Sequence, residues 1–279
     1  MTHAVAVPAD ARARRDHLAI VLIAAAVTAA LWQLPAGTGL GGLIAVVAVV
    51  QALLVAAWTA AIALPGRVGS IALGVGAAAW ADSVAVLADR PSLTPVAGVV
   101  GVALLVMFIH QLCRGVVRVR MTASIAGIAV LVVSVAALAA LLTVHRRTDG
   151  DALAATVVLA GGCSLMIANV VDAIAPIGRF DHDVAAGAVA PALGCVTGGA
   201  VALWRLRDVV DVGGRDAVLL GAAVGLVAAL LAVGTVFADA TVPPTRDIAR
   251  RSAVLLLRVT VPICLVAPVG YLLARLVLA

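Results

Sequence analysis

The sequence has no lysine and no glutamate: its basic side chains are 19 arginines and its acidic ones 14 aspartates. Charged residues make up only 12% of the 279 positions, against about 25% in an ordinary soluble domain. That deficit excludes a water-soluble globular protein. Aromatic residues are scarce too, with 4 Trp, 3 Phe and 1 Tyr. The four cysteines, Cys113, Cys163, Cys195 and Cys264, fall in or beside apolar runs without C-x-x-C spacing. They form neither a disulfide frame nor a zinc site. No Walker A, HExxH, GxSxG or dinucleotide fingerprint is present, so no cofactor is expected.

Apolar mass takes the place of what is missing. Hydrophobic residues account for 64% of the chain and the mean hydropathy is +1.20. A membrane helix needs about 20 mostly apolar residues. Nine runs meet that length, roughly 18–34, 40–64, 68–88, 94–113, 123–144, 152–176, 184–204, 217–237 and 252–277. They are continuously apolar, which excludes the alternation of a membrane β-barrel. The expected fold is therefore an all-α, polytopic transmembrane bundle of about nine helices. Residues 1–17 read as a cytoplasmic N-terminal segment and 18–279 as a single integral membrane domain. Arg12, Arg14 and Arg15 precede the first run as in a signal peptide. The run is long for one, and no small-x-small site precedes Gly37, so an uncleaved first helix is expected.

Net charge is +5, and its distribution speaks for topology instead of nucleic acid. With the N-terminus in the cytoplasm, the inner loops hold Arg12, Arg14, Arg15, Arg67, Arg114, Arg118, Arg120, Arg179, Arg246, Arg250 and Arg251. The outer loops hold Arg90, Arg146, Arg147, Arg205, Arg207 and Arg215. Arginine excess on the cytoplasmic side sets orientation, so a bacterial inner-membrane protein with its N-terminus inside is expected. Trp32, Trp58, Trp80 and Trp204 lie towards run ends, where indoles sit comfortably.

A polar side chain inside the bilayer is a functional candidate by default. The candidates are Gln51, Asp82, His110, Gln111, Asn169, Asp172 and Arg258. Depth counting places His110, Gln111, Asn169, Asp172 and Arg258 near the inner leaflet, where they are expected to converge and Asp172 to pair with Arg258. Asp82 lies nearer the outer side as a proton or cation site, with Arg205 in possible reach. The stripe Arg114, Arg118 and Arg120 is a headgroup-binding candidate. Asp181, His182 and Asp183 form the one constellation suited to a metal beside a phosphate; their simpler role is capping the helix expected from 184.

Gly194-x-x-x-Gly198 and Gly221-x-x-x-Gly225 each line up two small residues on one face, for packing inside the bundle or against a second copy or partner subunit. Trp80-Ala81-Asp82-Ser83 and Ile167-Ala168-Asn169-Val170 form a faint echo, with the helices that follow running in opposite senses as in inverted transporter repeats. The run Val171-Asp172-Ala173-Ile174-Ala175-Pro176, with Arg179-Phe180-Asp181 and Gly221-Ala222-Ala223-Val224-Gly225-Leu226 after it, resembles uncharacterised polytopic integral membrane proteins of actinobacteria. That resemblance covers the second half and implies a helical membrane fold without an assigned activity. The reading that follows is a transporter or flippase-like carrier of a small or lipidic solute, with membrane lipids as partners. The alternatives are an enzyme on a lipid phosphate and a non-catalytic assembly partner.

Overall fold

The structure is a computed structural model that describes residues 9–62, 66–113, 121–180, 184–209, 212–240 and 247–277. Among these residues the chain is helical apart from loops, turns and one isolated antiparallel bridge between Arg179 and Gly187. The helices are α1 (Ala9–Ile62), α2 (Arg67–Leu87), α3 (Thr94–Leu112), α4 (Met121–Leu138), α5 (Ala140–His145), α6 (Gly150–Ile174), α7 (Val189–Leu206), α8 (Gly214–Ala240) and α9 (Ile248–Val277). Eight stretches are long and apolar enough to cross a membrane, α4 and α5 together counting as one.

Helix α1 spans 54 residues. At about 1.5 Å per residue it would be roughly 80 Å long, more than twice the hydrocarbon core of a bilayer. It is broken at Gly39, whose backbone (φ 62°, ψ −146°) lies outside the helical region, four residues after Pro35. The contacts of its two ends show how the limbs are arranged. Asp16, near the start, pairs with Arg251 of α9. The carbonyl of Ala61, near the end, accepts from Nε of Arg250, the adjacent residue, at 3.1 Å. Both ends of α1 therefore sit at the same end of the bundle, and α1 is a helical hairpin folded at Pro35–Gly39. Its two limbs bring the number of membrane-length segments to nine among the described residues, in register with the nine apolar runs.

The hairpin fixes two ends for the molecule. One carries Asp16, Ala61, Arg250 and Arg251. At the other, Arg146 donates from Nη1 to the Ala85 carbonyl at 2.9 Å and from Nη2 to that of Ala88 at 2.7 Å. These bonds satisfy carbonyls at the C-terminus of α2 that the helix leaves unpaired. The Arg147 guanidinium stacks over the Tyr271 ring, and the Tyr271 hydroxyl donates to the Pro91 carbonyl at 3.2 Å. Arginines that read only as topology signals thus also hold the Arg146 end together.

Two three-helix units flank the hairpin. Helices α2, α3 and α4 pack on one another, as do α6, α7 and α8, while α1 and α9 lie between the units. The units run in opposite senses: α2 starts at the Asp16 end and α6 at the Arg146 end. Lipid supplies no hydrophobic drive for helix association, so close backbone approach matters instead. It is tightest between α7 and α8. A Cβ on Gly198 would overlap the Gly221 carbonyl oxygen, and one on Gly221 would overlap that of Gly198; Gly194 and Gly225 face each other likewise. Both glycine faces are thus occupied by one another within the chain.

Two boundaries differ from the apolar runs. Residues 9–17 are helical, continuous with α1. Helix α7 starts at Val189, not at 184, with Ala188 at its N-cap; the capping expected of Asp181 or Asp183 lies outside the described residues. Val184 and Ala186 are buried instead in a non-helical loop against Val233 and Val236 of α8. The loop is tied by Phe180 N–H to the Ala186 carbonyl and Ala188 N–H to the Gly178 carbonyl.

Candidate functional site

The buried polar side chains fall into separate groups. In the first, Gln51 on the second limb of α1 donates through Nε2 to Oδ1 of Asp82 on α2 at 2.9 Å, and to the Val135 carbonyl at 3.0 Å. Asp82 is buried five residues before the end of α2, about 8 Å along the axis. The neighbouring Ser83 hydroxyl turns to its own helix, at the Ala79 carbonyl. Arg205 lies elsewhere, stacked on Trp204.

The second group lies at the Asp16 end. His17 is 2% exposed. Its Nδ1 is 2.9 Å from Oδ1 of Asn169 on α6, and its Nε2 is 3.0 Å from the Ala185 carbonyl. Asn169 donates from Nδ2 to the Leu165 carbonyl at 2.9 Å, which fixes the amide with its oxygen towards His17. The imidazole thus bridges two acceptors; a ring with one N–H satisfies one of them, and a ring with two satisfies both. One turn further along α6, Asp172 accepts from the Gly187 N–H at 3.0 Å. The 184–188 loop is therefore fastened to α1 and α6 by these side chains. Asp172 also lines a recess of about 610 Å³ with Arg14, Arg15, Leu18, Arg179 and Ala185.

Arg258 is the centre of the third group. It is 6% exposed and lies on α9, about 10 Å along the axis from Arg251. Its Nη1 is 4.0 Å from Oδ2 of Asp239 on α8, while Nε and Nη2 have no hydrogen-bond partner. It lines a cavity of about 680 Å³ whose remaining walls are mostly apolar. Asp172 and Arg258 do not pair directly; each has a different neighbour.

His110 and Gln111 belong to α3, which packs on α2 and α4. His110 lies against Gly69, and Gln111 donates to the Ser124 hydroxyl at 2.9 Å. The five groups expected to converge near one leaflet are thus spread over three places. Asn169 and Asp172 stay together; Arg258 and the α3 pair stand apart. Arg114, Arg118, Arg120, Asp181, His182 and Asp183 lie outside the described residues. Among the described residues no three His, Cys, Asp or Glu side chains come close enough to hold a metal.

Two polar positions are new relative to the sequence reading. His17 sits just ahead of the first apolar run and carried no signal of burial. At the Arg146 end, His145 Nδ1 is 3.0 Å from Asp151 Oδ1, and both line a cavity of about 250 Å³ with Trp32 and Arg205. No protein family, curated protein or solved structure matches this chain.

Proposed function

We propose that the chain is a multi-pass carrier of a bacterial cytoplasmic membrane that moves a small or lipidic solute. The observation that carries this reading is the placement of the two buried carboxylates. Asp82 and Asp172 each lie on the first helix of a three-helix unit, near opposite ends of the bundle, hydrogen-bonded to a neutral donor. A buried carboxylate in a membrane helix is costly, though less so near the ends than the centre, and is a functional candidate by default. A bundle that needed only to pack has no use for two of them.

Oppositely directed units around a central element support alternating access. In this reading Asp82, with Gln51, is a proton or cation site towards the outer face. Asp172, with Asn169 and His17, forms the inner counterpart, and Arg258 meets an anionic group of the solute. The Asp16 end faces the cytoplasm in this reading, because the described Arg14, Arg15, Arg67, Arg179, Arg250 and Arg251 lie there. His110, packed on Gly69, has no assigned role.

The test is lipid transfer in proteoliposomes containing NBD-labelled phosphatidylglycerol, read by dithionite bleaching from outside. Wild type is expected to expose inner-leaflet label to the reagent, and Asp172→Asn and Asp82→Asn to slow that at least tenfold while eluting as folded protein. Bleaching by wild type no faster than in empty liposomes, or unchanged transfer in both variants, overturns the proposal.

A further inference from the structure

We infer that the cavity between the second limb of α1, α8 and α9 binds a single-chain amphiphile with an anionic head, the head against Arg258 and the chain along the apolar walls. The inference names the solute class for the proposed carrier and rests on that reading for its purpose.

The first ground is the unsatisfied donor chemistry. The Arg258 side chain is 7% exposed, yet Nε and Nη2 have no acceptor. Its nearest counter-charge, Asp239, is 42% exposed and reaches only Nη1, at 4.0 Å. A buried donor without a partner costs about 1–3 kcal/mol, and more when it is charged. Trp58, 8% exposed and lining the same cavity, has an indole N–H that also lacks a partner. Three nitrogen donors without an acceptor therefore belong to two residues that line one cavity. A guanidinium presents its N–H groups as a fork that matches a carboxylate or a phosphate.

The second ground is the rest of the wall. Apart from Asp239, Arg250 and Thr235, whose hydroxyl donates to the Ala232 carbonyl, the remaining side chains are apolar, among them Ile62, Leu231, Val254, Leu257 and Val261. The volume of about 680 Å³ falls within the roughly 300–1,000 Å³ typical of small-molecule sites. A bare anion would leave that apolar volume unfilled, and a neutral chain would leave the donors orphaned. A chain ending in a carboxylate or a phosphate satisfies both. Arg250 adds a second positive charge on the lining, its Nε already committed to the Ala61 carbonyl.

The experiment uses the full chain with Trp32, Trp80 and Trp204 replaced by phenylalanine, so that Trp58 alone reports. After exhaustive detergent exchange it is titrated with oleate, lysophosphatidate, oleyl alcohol and inorganic phosphate. Oleate and lysophosphatidate are expected to shift the emission saturably, and the tighter of the two identifies the head. Oleyl alcohol and phosphate are expected to bind at least tenfold more weakly. Arg258→Met should lose at least tenfold in oleate affinity, with Arg258→Lys in between. The ligand-free Arg258→Met protein should melt no lower than wild type, since it gives up a buried charge whose nearest counter-ion, Asp239, is half-exposed and at 4.0 Å. Equal binding of oleyl alcohol or phosphate, oleate binding indifferent to Arg258→Met, or a large drop in its ligand-free melting temperature overturns the inference. Binding without lipid transfer would sink the carrier proposal alone; transfer without binding would sink this inference alone.

Discussion

At the scale of single residues, the bundle places two of its buried polar groups against partners remote in sequence. Gln51 reaches Asp82 across 31 positions, and His17 reaches Asn169 across 152. Gln51→Leu strands the Asp82 carboxylate and is expected to cost about 1–3 kcal/mol. The double variant Gln51→Leu with Asp82→Leu should recover most of that loss, because neither polar group is then left alone. Denaturant unfolding in detergent measures both. Asp82, Asp172 and Arg258 were legible in the sequence because a charge interrupts an apolar run. Their partners were not, because a run fixes depth along a helix but not the direction in which a side chain faces. His110 and Arg258 share a depth, yet α3 packs on α2 and α4, away from the Arg258 cavity. His17 was illegible for another reason: it lies beyond the apolar run, and it is buried against α6 and the loop at Ala185, which only the fold brings to it.

At the scale of elements, two glycine roles separate cleanly. Gly39 has open space around it, so a Cβ there meets nothing; its cost is conformational, since its φ and ψ belong to a region essentially reserved for glycine. Gly39→Ala is expected to lose about 1–3 kcal/mol. At Gly198 the backbone is helical and the space is taken by the Gly221 carbonyl. Gly198→Leu should separate α7 from α8 and cost at least about 1–3 kcal/mol. Gly234, with nothing near its Cβ position, serves as the control, and Gly234→Leu should leave melting unchanged. The thermal shift of the three purified variants decides the matter. Helix positions were largely readable from the runs. The error at α7 has a physical source: Val184 and Ala186 are as apolar as a helix core but are buried as loop, and apolarity alone does not tell the two apart.

The whole molecule has an asymmetric charge pattern that the bundle preserves. Among the described residues, Arg14, Arg15, Arg67, Arg179, Arg250 and Arg251 lie at the Asp16 end. In a cysteine-free background, Asp208→Cys at the Arg146 end and Ile177→Cys at the Asp16 end, both exposed positions, read the topology. A membrane-impermeant maleimide added to intact cells should label the first and spare the second until the cells are lysed. The reverse pattern would turn the molecule over. It would also exchange the outer and inner roles proposed for Asp82 and Asp172.

The clasp between the α1 hairpin and α9 has a consequence for synthesis. Arg250 emerges 189 residues after Ala61, and Arg251 emerges 235 after Asp16. At roughly 5–20 residues per second, that is a wait of about 10–50 s. For that interval the nascent hairpin lacks its final fastening, and the last helix closes it as a latch. A ribosome that stalls before α9 would leave Asp16 without its arginine at the membrane face. That gives membrane quality control an unfinished surface by which to tell a truncated chain from a complete one.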